Sequence, residues 1–206
     1  MIKSGSQKKY KILLLGPNGQ LGESLKNHLE AFHELECADK KKFDFLNPTN
    51  FLDILKKSKP SLVINAAAYT DVEGAESNEN LANQINSEAL KYISSACEAL
   101  DSTLLHFSTD YVFDGKKNMP YLEEDIPNPI STYGNSKLLG EKIISDNMKN
   151  YIIFRTSGVI SNNTNNFINK IILAAETQKE LRIVDDQITS LNHSDFLAEA
   201  INKILS

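Results

Sequence analysis

Uninterrupted apolar runs constrain this chain more than any other feature. In LVINAAA (62–68) and IIFRTS (152–157) apolar residues follow one another instead of alternating with polar ones. A strand sends successive side chains to opposite faces, so such runs belong to strands covered on both sides, as in parallel sheets flanked by helices. The runs alternate with helix-like stretches: KILLLG and a helix from about Gly19, ELECAD and a helix from about Thr49, SLVINAAA and a long helix over 76–99. TLLHFS follows, then an irregular stretch from Asp110 to Thr132, a helix over 134–147 and YIIFRTS. The last third holds a helix near 165–178, the segment LRIVDD and a final helix from about Ser194. This rhythm predicts an α/β fold, a doubly wound (Rossmann-type), mostly parallel sheet with helices on both faces. Residues 10–206 are expected to form a single domain behind a flexible segment over 1–9.

Composition removes several functions. A formal charge of -5 and a pI near 5.4 argue against nucleic-acid binding, which calls for a basic face. Cys37 and Cys97 are the only cysteines, too few for a disulfide framework or a zinc site, so no metal is expected. No apolar run reaches the roughly 20 residues that cross a bilayer, and MIKSGSQKK lacks the apolar centre of a secretion signal. A soluble, cytoplasmic protein with no membrane partner is expected. The stretch from Asp110 to Thr132, with Pro120, Pro127 and Pro129, is too long for a mere connection and is expected to line a site.

Directly after the first apolar run comes Gly16-Pro-Asn18-Gly19-Gln20-Leu21-Gly22, with a helical pattern starting inside it. At the end of a parallel strand such a turn lets a diphosphate approach backbone amides at a helix N-terminus, where the helix dipole favours anions. Gly16, Asn18, Gly19, Gln20 and Leu21 are therefore candidate cofactor-binding residues, and the third glycine lets the helix pack close to the sheet. The spacing is G-x-x-G-x-x-G, with one more residue in the first turn than the usual dinucleotide fingerprint. Asp39 lies 23 residues after Gly16, where a carboxylate can accept bonds from the adenosine ribose. Lys40, Lys41 and Lys42 follow, and a cation there could instead neutralise a ribose 2'-phosphate or simply be solvated. Both NADPH and NADH stay open. Asp44 and Phe45 could frame the adenine, although an Asp after a strand also serves as a turn residue.

The second signal is Tyr133-Gly-Asn-Ser-Lys137. Residues four apart on a helix share a face, so phenol and ammonium can converge on one substrate atom. A nearby ammonium lowers a tyrosine pKa from about 10 and makes proton transfer to a developing alkoxide feasible. The preceding strand ends in Ser108-Thr109-Asp110, and ligands of doubly wound sheets bind beyond the carboxyl ends of strands. The Thr109 hydroxyl would face the same crevice and could hydrogen-bond a substrate carbonyl.

The strings NAAAYTDVEGAE, FSTDYVFDG, STYGNSKLLGE, FRTS and VDDQ, in this order after GPNGQLG, resemble those of the extended short-chain dehydrogenase/reductases, and among them the dTDP-4-dehydrorhamnose reductase family. The resemblance runs from Tyr10 onward. It implies hydride transfer from NADPH or NADH to carbon 4 of a 4-keto nucleotide sugar, giving dTDP-L-rhamnose for cell-surface polysaccharide. On that resemblance Tyr133 is the proton donor, Lys137 orients the nicotinamide ribose and tunes Tyr133, and Thr109 completes the oxyanion-binding set. Asp110 and Tyr111 resemble sugar contacts; Ala66, Ala67, Ala68 and Tyr69 resemble the strand end that lines the cofactor. Asn86 resembles an Asn on the long helix near the site, and a buried packing Asn is an equally good reading. Related dehydratases carry Glu where Tyr111 stands, so reduction is preferred over elimination. A homodimer is compatible with the resemblance.

Three departures from the family pattern fall on the sugar side. Gly158 follows Arg155-Thr156-Ser157 where the family has Trp, and the chain contains no Trp. The family's glycine and proline are missing from the run Asp186 to Asn192. The chain stops at Ser206, before the segments that would cap the substrate nucleotide. The alternatives these departures keep open are a cofactor-binding regulatory or interaction subunit without effective catalysis, and an epimerase or dehydratase of the same fold.

Overall fold

The computed structural model describes residues 9–162, 167–183, 185 and 187–206. Of the segment 1–9 only Lys9 is among the described residues, and Asp186 of the altered run lies outside them. Strands β1 (Lys11–Leu15), β2 (Glu34–Ala38), β3 (Leu62–Asn65), β4 (Thr103–Thr109) and β5 (Tyr151–Thr156) form one sheet in the order β2-β1-β3-β4-β5. Every pairing in it is parallel.

Two apolar layers explain the uninterrupted runs. Along β1, Leu13 and Leu15 join one buried cluster with Phe51, Leu55, Leu90 and Ile93. Ile12 and Leu14 join another with Leu25, Leu29, Ala198 and Ile201. The helices are α1 (Gln20–Leu29), α2 (Phe51–Ser58), α3 (Val72–Ser77), α4 (Glu79–Asn83), α5 (Ala89–Ala99), α6 (Thr132–Asn147), α7 (Phe167–Thr177) and α8 (Ser194–Leu205). Thus α1 and α8 cover one face, and α2, α5 and α6 the other. This is the doubly wound, Rossmann-like arrangement. The chain runs outward from β1 to β2 and then crosses back to β3 on the other side of β1, so the switch point lies between the carboxyl ends of β1 and β3, where such sheets bind ligands.

The expected long helix over 76–99 is broken. Asp71 caps α3 by accepting from the Gly74 amide at 2.9 Å, and Asn78, with φ −131 and ψ 46, ends it. After α4 a π-helical turn spans Gln84–Glu88 before α5 begins. Asx chemistry at Asp71 and Asn78 offers the backbone local bonds that compete with a continuous helix. A second difference is a small parallel pairing of β6 (Gly158–Ile160) with β7 (Leu191–His193). Strands of three residues are too short for periodicity to reveal.

Helix α6 begins at Thr132, two residues before its expected start. Ser131 Oγ accepts from the Gly134 amide at 3.1 Å, and Glu76 accepts from both Thr132 N and Thr132 Oγ1 at 2.8 Å. An N-cap serine and a carboxylate at a helix N-terminus both satisfy free amides there.

Candidate active site

The glycine turn is built by contact. Gly16 has φ +75, and a Cβ on it would stand 2.8 Å from Ala67 Cβ, so the end of β1 lies directly against the loop after β3. A Cβ on Gly22 would stand 2.0 Å from the Gly16 carbonyl oxygen, which is the close approach of α1 to the turn anticipated for the third glycine. The N-cap of α1 is Gly19, with no side-chain capping bond. Asn18 and Gly19 are exposed, Gln20 and Leu21 half-buried. The opening of α1 thus presents backbone rather than side chain to the crevice, a cradle that a Cβ would fill and that suits a dinucleotide diphosphate. Gly22→Ala is expected to cost about 2 kcal/mol of stability by overpacking and to weaken NADPH binding. Urea unfolding and a fluorescence titration check both, and an unchanged unfolding midpoint would contradict the contact.

At the end of β2, Asp39 Oδ1 accepts from the amides of Lys41 and Lys42 at 3.0 and 3.1 Å. The carboxylate is thereby fixed in its own turn. Lys42 is paired with Glu36, whereas Lys40 and Lys41 are exposed. Asp44 bonds the Leu46 amide at 3.1 Å, the turn role already weighed for it. Phe45 leans on Phe43, ring centroids 4.9 Å apart.

Beyond β3, Ala66, Ala67, Ala68 and Tyr69 are all half-buried along the crevice. Asn86, only 2% exposed, accepts from Tyr69 N at 2.8 Å and donates to Tyr69 O at 3.0 Å. It also donates to Ser136 Oγ at 3.0 Å, and Ser136 Oγ donates to the Tyr133 carbonyl at 2.7 Å. Its amide is spent on protein partners, so Asn86 ties the β3 loop to the first turn of α6 and acts as a packing residue.

Thr109, Tyr133 and Lys137 come together where β4 meets α6. Thr109 Oγ1 accepts from Tyr111 N at 3.2 Å and donates to Asp110 Oδ1 at 3.2 Å, and the Tyr133 phenol lies close enough to feel its hydroxyl. A Cβ on Gly134 would stand 2.2 Å from the Tyr111 carbonyl oxygen, so the residue after Tyr133 must be this small for α6 to dock on the 110–112 turn. Tyr111 packs edge-on to Tyr133, centroids 5.7 Å apart.

The electrostatics depart from expectation. Burial pushes the Tyr133 phenol up to about 12, with Thr109 opposing and the charge of Asp110 adding to the rise. Lys137 does not lower it, because its Nζ turns into the sheet and donates to the Phe107 carbonyl at 2.7 Å. Lys137 is itself lowered to about 8 by burial, against the pull of Glu141. Tyr133 therefore stays protonated through the neutral range, as a proton donor requires.

The proline-rich stretch is anchored to this edge. Glu141 of α6 accepts from Arg155 of β5 through Nε at 3.1 Å and Nη2 at 2.7 Å, and from Ser108 Oγ. The Arg155 guanidinium lies 5.1 Å over the Phe113 ring, which stacks on Tyr121 at 4.2 Å. The altered run near Thr189 crosses the same edge: Thr189 Oγ1 donates to Asp110 Oδ2 at 3.0 Å, and Ser190 and Asn192 bond Ser157. Gly158 is exposed, and a Cβ there would meet the end of the exposed Leu191 side chain at 3.1 Å.

Sequence reasoning passed over Asn65 and His106, each 1% exposed and partnered across β3 and β4. Their signal was a polar residue inside an otherwise apolar run. Among the described residues no cluster of metal-ligating side chains occurs, and no helix is long and apolar enough to cross a membrane.

A protonated phenol held against a threonine hydroxyl at the carboxyl edge of a doubly wound sheet, one strand removed from a glycine turn, defines the short-chain dehydrogenase/reductase class. Within it, the chain belongs to the RmlD substrate binding domain family, whose model matches residues 10–206. It is 36% identical over 192 residues to the dTDP-4-dehydrorhamnose reductase of Salmonella typhimurium, covering 91% of this chain and 64% of that protein. It is 36% identical to the spore coat polysaccharide biosynthesis protein SpsK of Bacillus subtilis, covering 95% and 70%. The crystal structure of dTDP-4-dehydrorhamnose reductase from Bacillus anthracis in complex with NADP matches with a TM-score of 0.90 at 33% identity, covering 96% of this chain and 71% of that one.

Proposed function

We propose that this chain carries the dinucleotide-binding and catalytic domain of an NAD(P)H-dependent reductase that converts dTDP-4-dehydro-L-rhamnose to dTDP-L-rhamnose for cell-surface polysaccharide. The observation that carries the reading is the Thr109–Tyr133 hydroxyl pair, protonated and buried beside the crevice at the end of β4. A reduced nicotinamide supplies the hydride to the carbonyl carbon. Tyr133 supplies the proton to the carbonyl oxygen, and Thr109 hydrogen-bonds that oxygen as it gains charge. Gly16, Asn18, Gly19, Gln20 and Leu21 hold the diphosphate, Ala66, Ala67, Ala68 and Tyr69 line the nicotinamide half, and Asp39 takes the adenosine ribose.

Exposed Lys40 and Lys41 beside Asp39 support use of NADPH as well as NADH, and the NADP complex of the Bacillus anthracis relative agrees with this. Asp110 and Tyr111 face the sugar. Tyr111, raised further by burial and by Asp110, is no base near neutrality, which favours reduction over elimination. Free thiols at Cys37 and Cys97 support a cytoplasmic setting, and the family resemblance supports a homodimer. The test is the loss of NADPH absorbance on adding dTDP-4-dehydrorhamnose. Oxidation coupled one to one to dTDP-rhamnose is expected; cofactor binding without oxidation would leave only the interaction-subunit reading.

A further inference from the structure

A chain of hydrogen bonds runs through the sheet from the cofactor loop to Lys137. The Ala67 amide donates to Asn65 Oδ1 at 3.1 Å. Asn65 Nδ2 lies 3.0 Å from His106 Nδ1, and His106 Nε2 lies 3.3 Å from Lys137 Nζ. Asn65, His106 and Lys137 are each 1% exposed, so no solvent relieves a mismatch among them. The polarity of this chain is fixed from one end. A backbone N–H can only donate, so Asn65 turns its oxygen to Ala67 and its NH2 to His106. His106 Nδ1 must then be bare, and a neutral imidazole carries its proton on Nε2, pointing at Lys137. An ammonium there would set donor against donor. A free amine accepts the Nε2 proton and still donates to the Phe107 carbonyl, and every group is satisfied. Turning the Asn65 amide over only moves the mismatch to Ala67.

We propose that His106, locked in its Nε2–H form by Asn65, lowers the proton affinity of Lys137 and is the positioning residue that sets where this lysine takes up a proton. The other charges around Lys137 are few. Glu141, one turn on along α6, is occupied by Arg155 of β5; Tyr133, one turn back, is protonated; β3 offers only the neutral Asn65. Burial and Lys137 hold His106 well below the usual imidazole range, in agreement with a neutral ring. Resting on the reductase reading, this brings the proton equilibrium of the lysine one turn along α6 from Tyr133 down toward neutrality.

The test needs no substrate. Long-range 1H–15N correlation of the His106 ring in the whole protein is expected to show Nε2 protonated and Nδ1 bare throughout the neutral range; a proton on Nδ1, or an imidazolium, would overturn the proposal. The Lys137 ε-carbon is expected to titrate near 8. In His106→Gln, whose carbonyl can accept from an ammonium, the proton affinity of Lys137 should rise about tenfold, and an unmoved titration would equally overturn it. If that variant does not fold, the ring tautomer of the natural chain decides. A wrong tautomer with turnover sinks this inference alone; the expected tautomer without turnover sinks the reductase reading alone.

Discussion

Tyr133→Phe is expected to lower kcat/KM for the 4-keto sugar nucleotide by about 10³-fold, roughly 4 kcal/mol of transition-state stabilisation, with cofactor affinity unchanged. The ring is nine-tenths buried and packs with Ala75 and Ala82, so Phe keeps the packing. Thr109 beside it keeps its own bonds to the Tyr111 amide at 3.2 Å and to Asp110 at 3.2 Å. Stability should therefore change by no more than about 1 kcal/mol, the net worth of one hydrogen bond. Steady-state kinetics beside urea unfolding separates the two effects. A loss under tenfold in kcat/KM would mean that another group delivers the proton.

Glu141→Ala carries the largest expected effect on stability. It strips the carboxylate that takes three bonds from Arg155 and one from Ser108, leaving a guanidinium with 23% side-chain exposure without its counter-charge. Removing one partner of a buried ion pair costs about 3 kcal/mol or more, which for a domain of this size lowers Tm by roughly 10 °C. Because Arg155 also lies over Phe113, the 110–132 stretch should loosen as well, with faster exchange of the Asn128 amide, whose 2.9 Å bond to the Val112 carbonyl closes its base. Calorimetry and hydrogen exchange measure the two. A Tm within 2 °C of the natural chain, less than about 1 kcal/mol, would show that Arg155 finds another partner.

What the sequence disclosed and what it withheld divide along one physical line. Apolar runs and glycine spacing act over a few residues, so the five-stranded parallel sheet, the turn at Gly16–Gly22 and the helix carrying Tyr133 and Lys137 were legible, as was Asp39 at the end of β2. The break at Asn78 was not, because its side-chain bond to the Gly74 carbonyl competes with a helix that the apolar pattern continues through. The β6–β7 pairing depends on partners more than thirty residues apart. The direction of Lys137 was the costliest omission: spacing places it one turn from Tyr133, but only the fold shows that Nζ turns into the sheet toward Phe107 and His106, which removes its expected effect on the phenol. Asn65 and His106 were visible as polar interruptions of apolar runs, and only their register across β3 and β4 makes them a relay.

If the Thr109–Tyr133 edge completes the proposed reduction at carbon 4 of a dTDP-4-keto sugar, the new hydrogen on that carbon comes from the cofactor. Transfer of deuterium from NADPH labelled at nicotinamide carbon 4, with the product read by mass spectrometry and proton NMR, tests it most directly. One deuterium bound at carbon 4 of dTDP-rhamnose, absent when Tyr133→Phe replaces the natural chain, is the expected result. Bound cofactor that keeps its label in the presence of the keto sugar would contradict it.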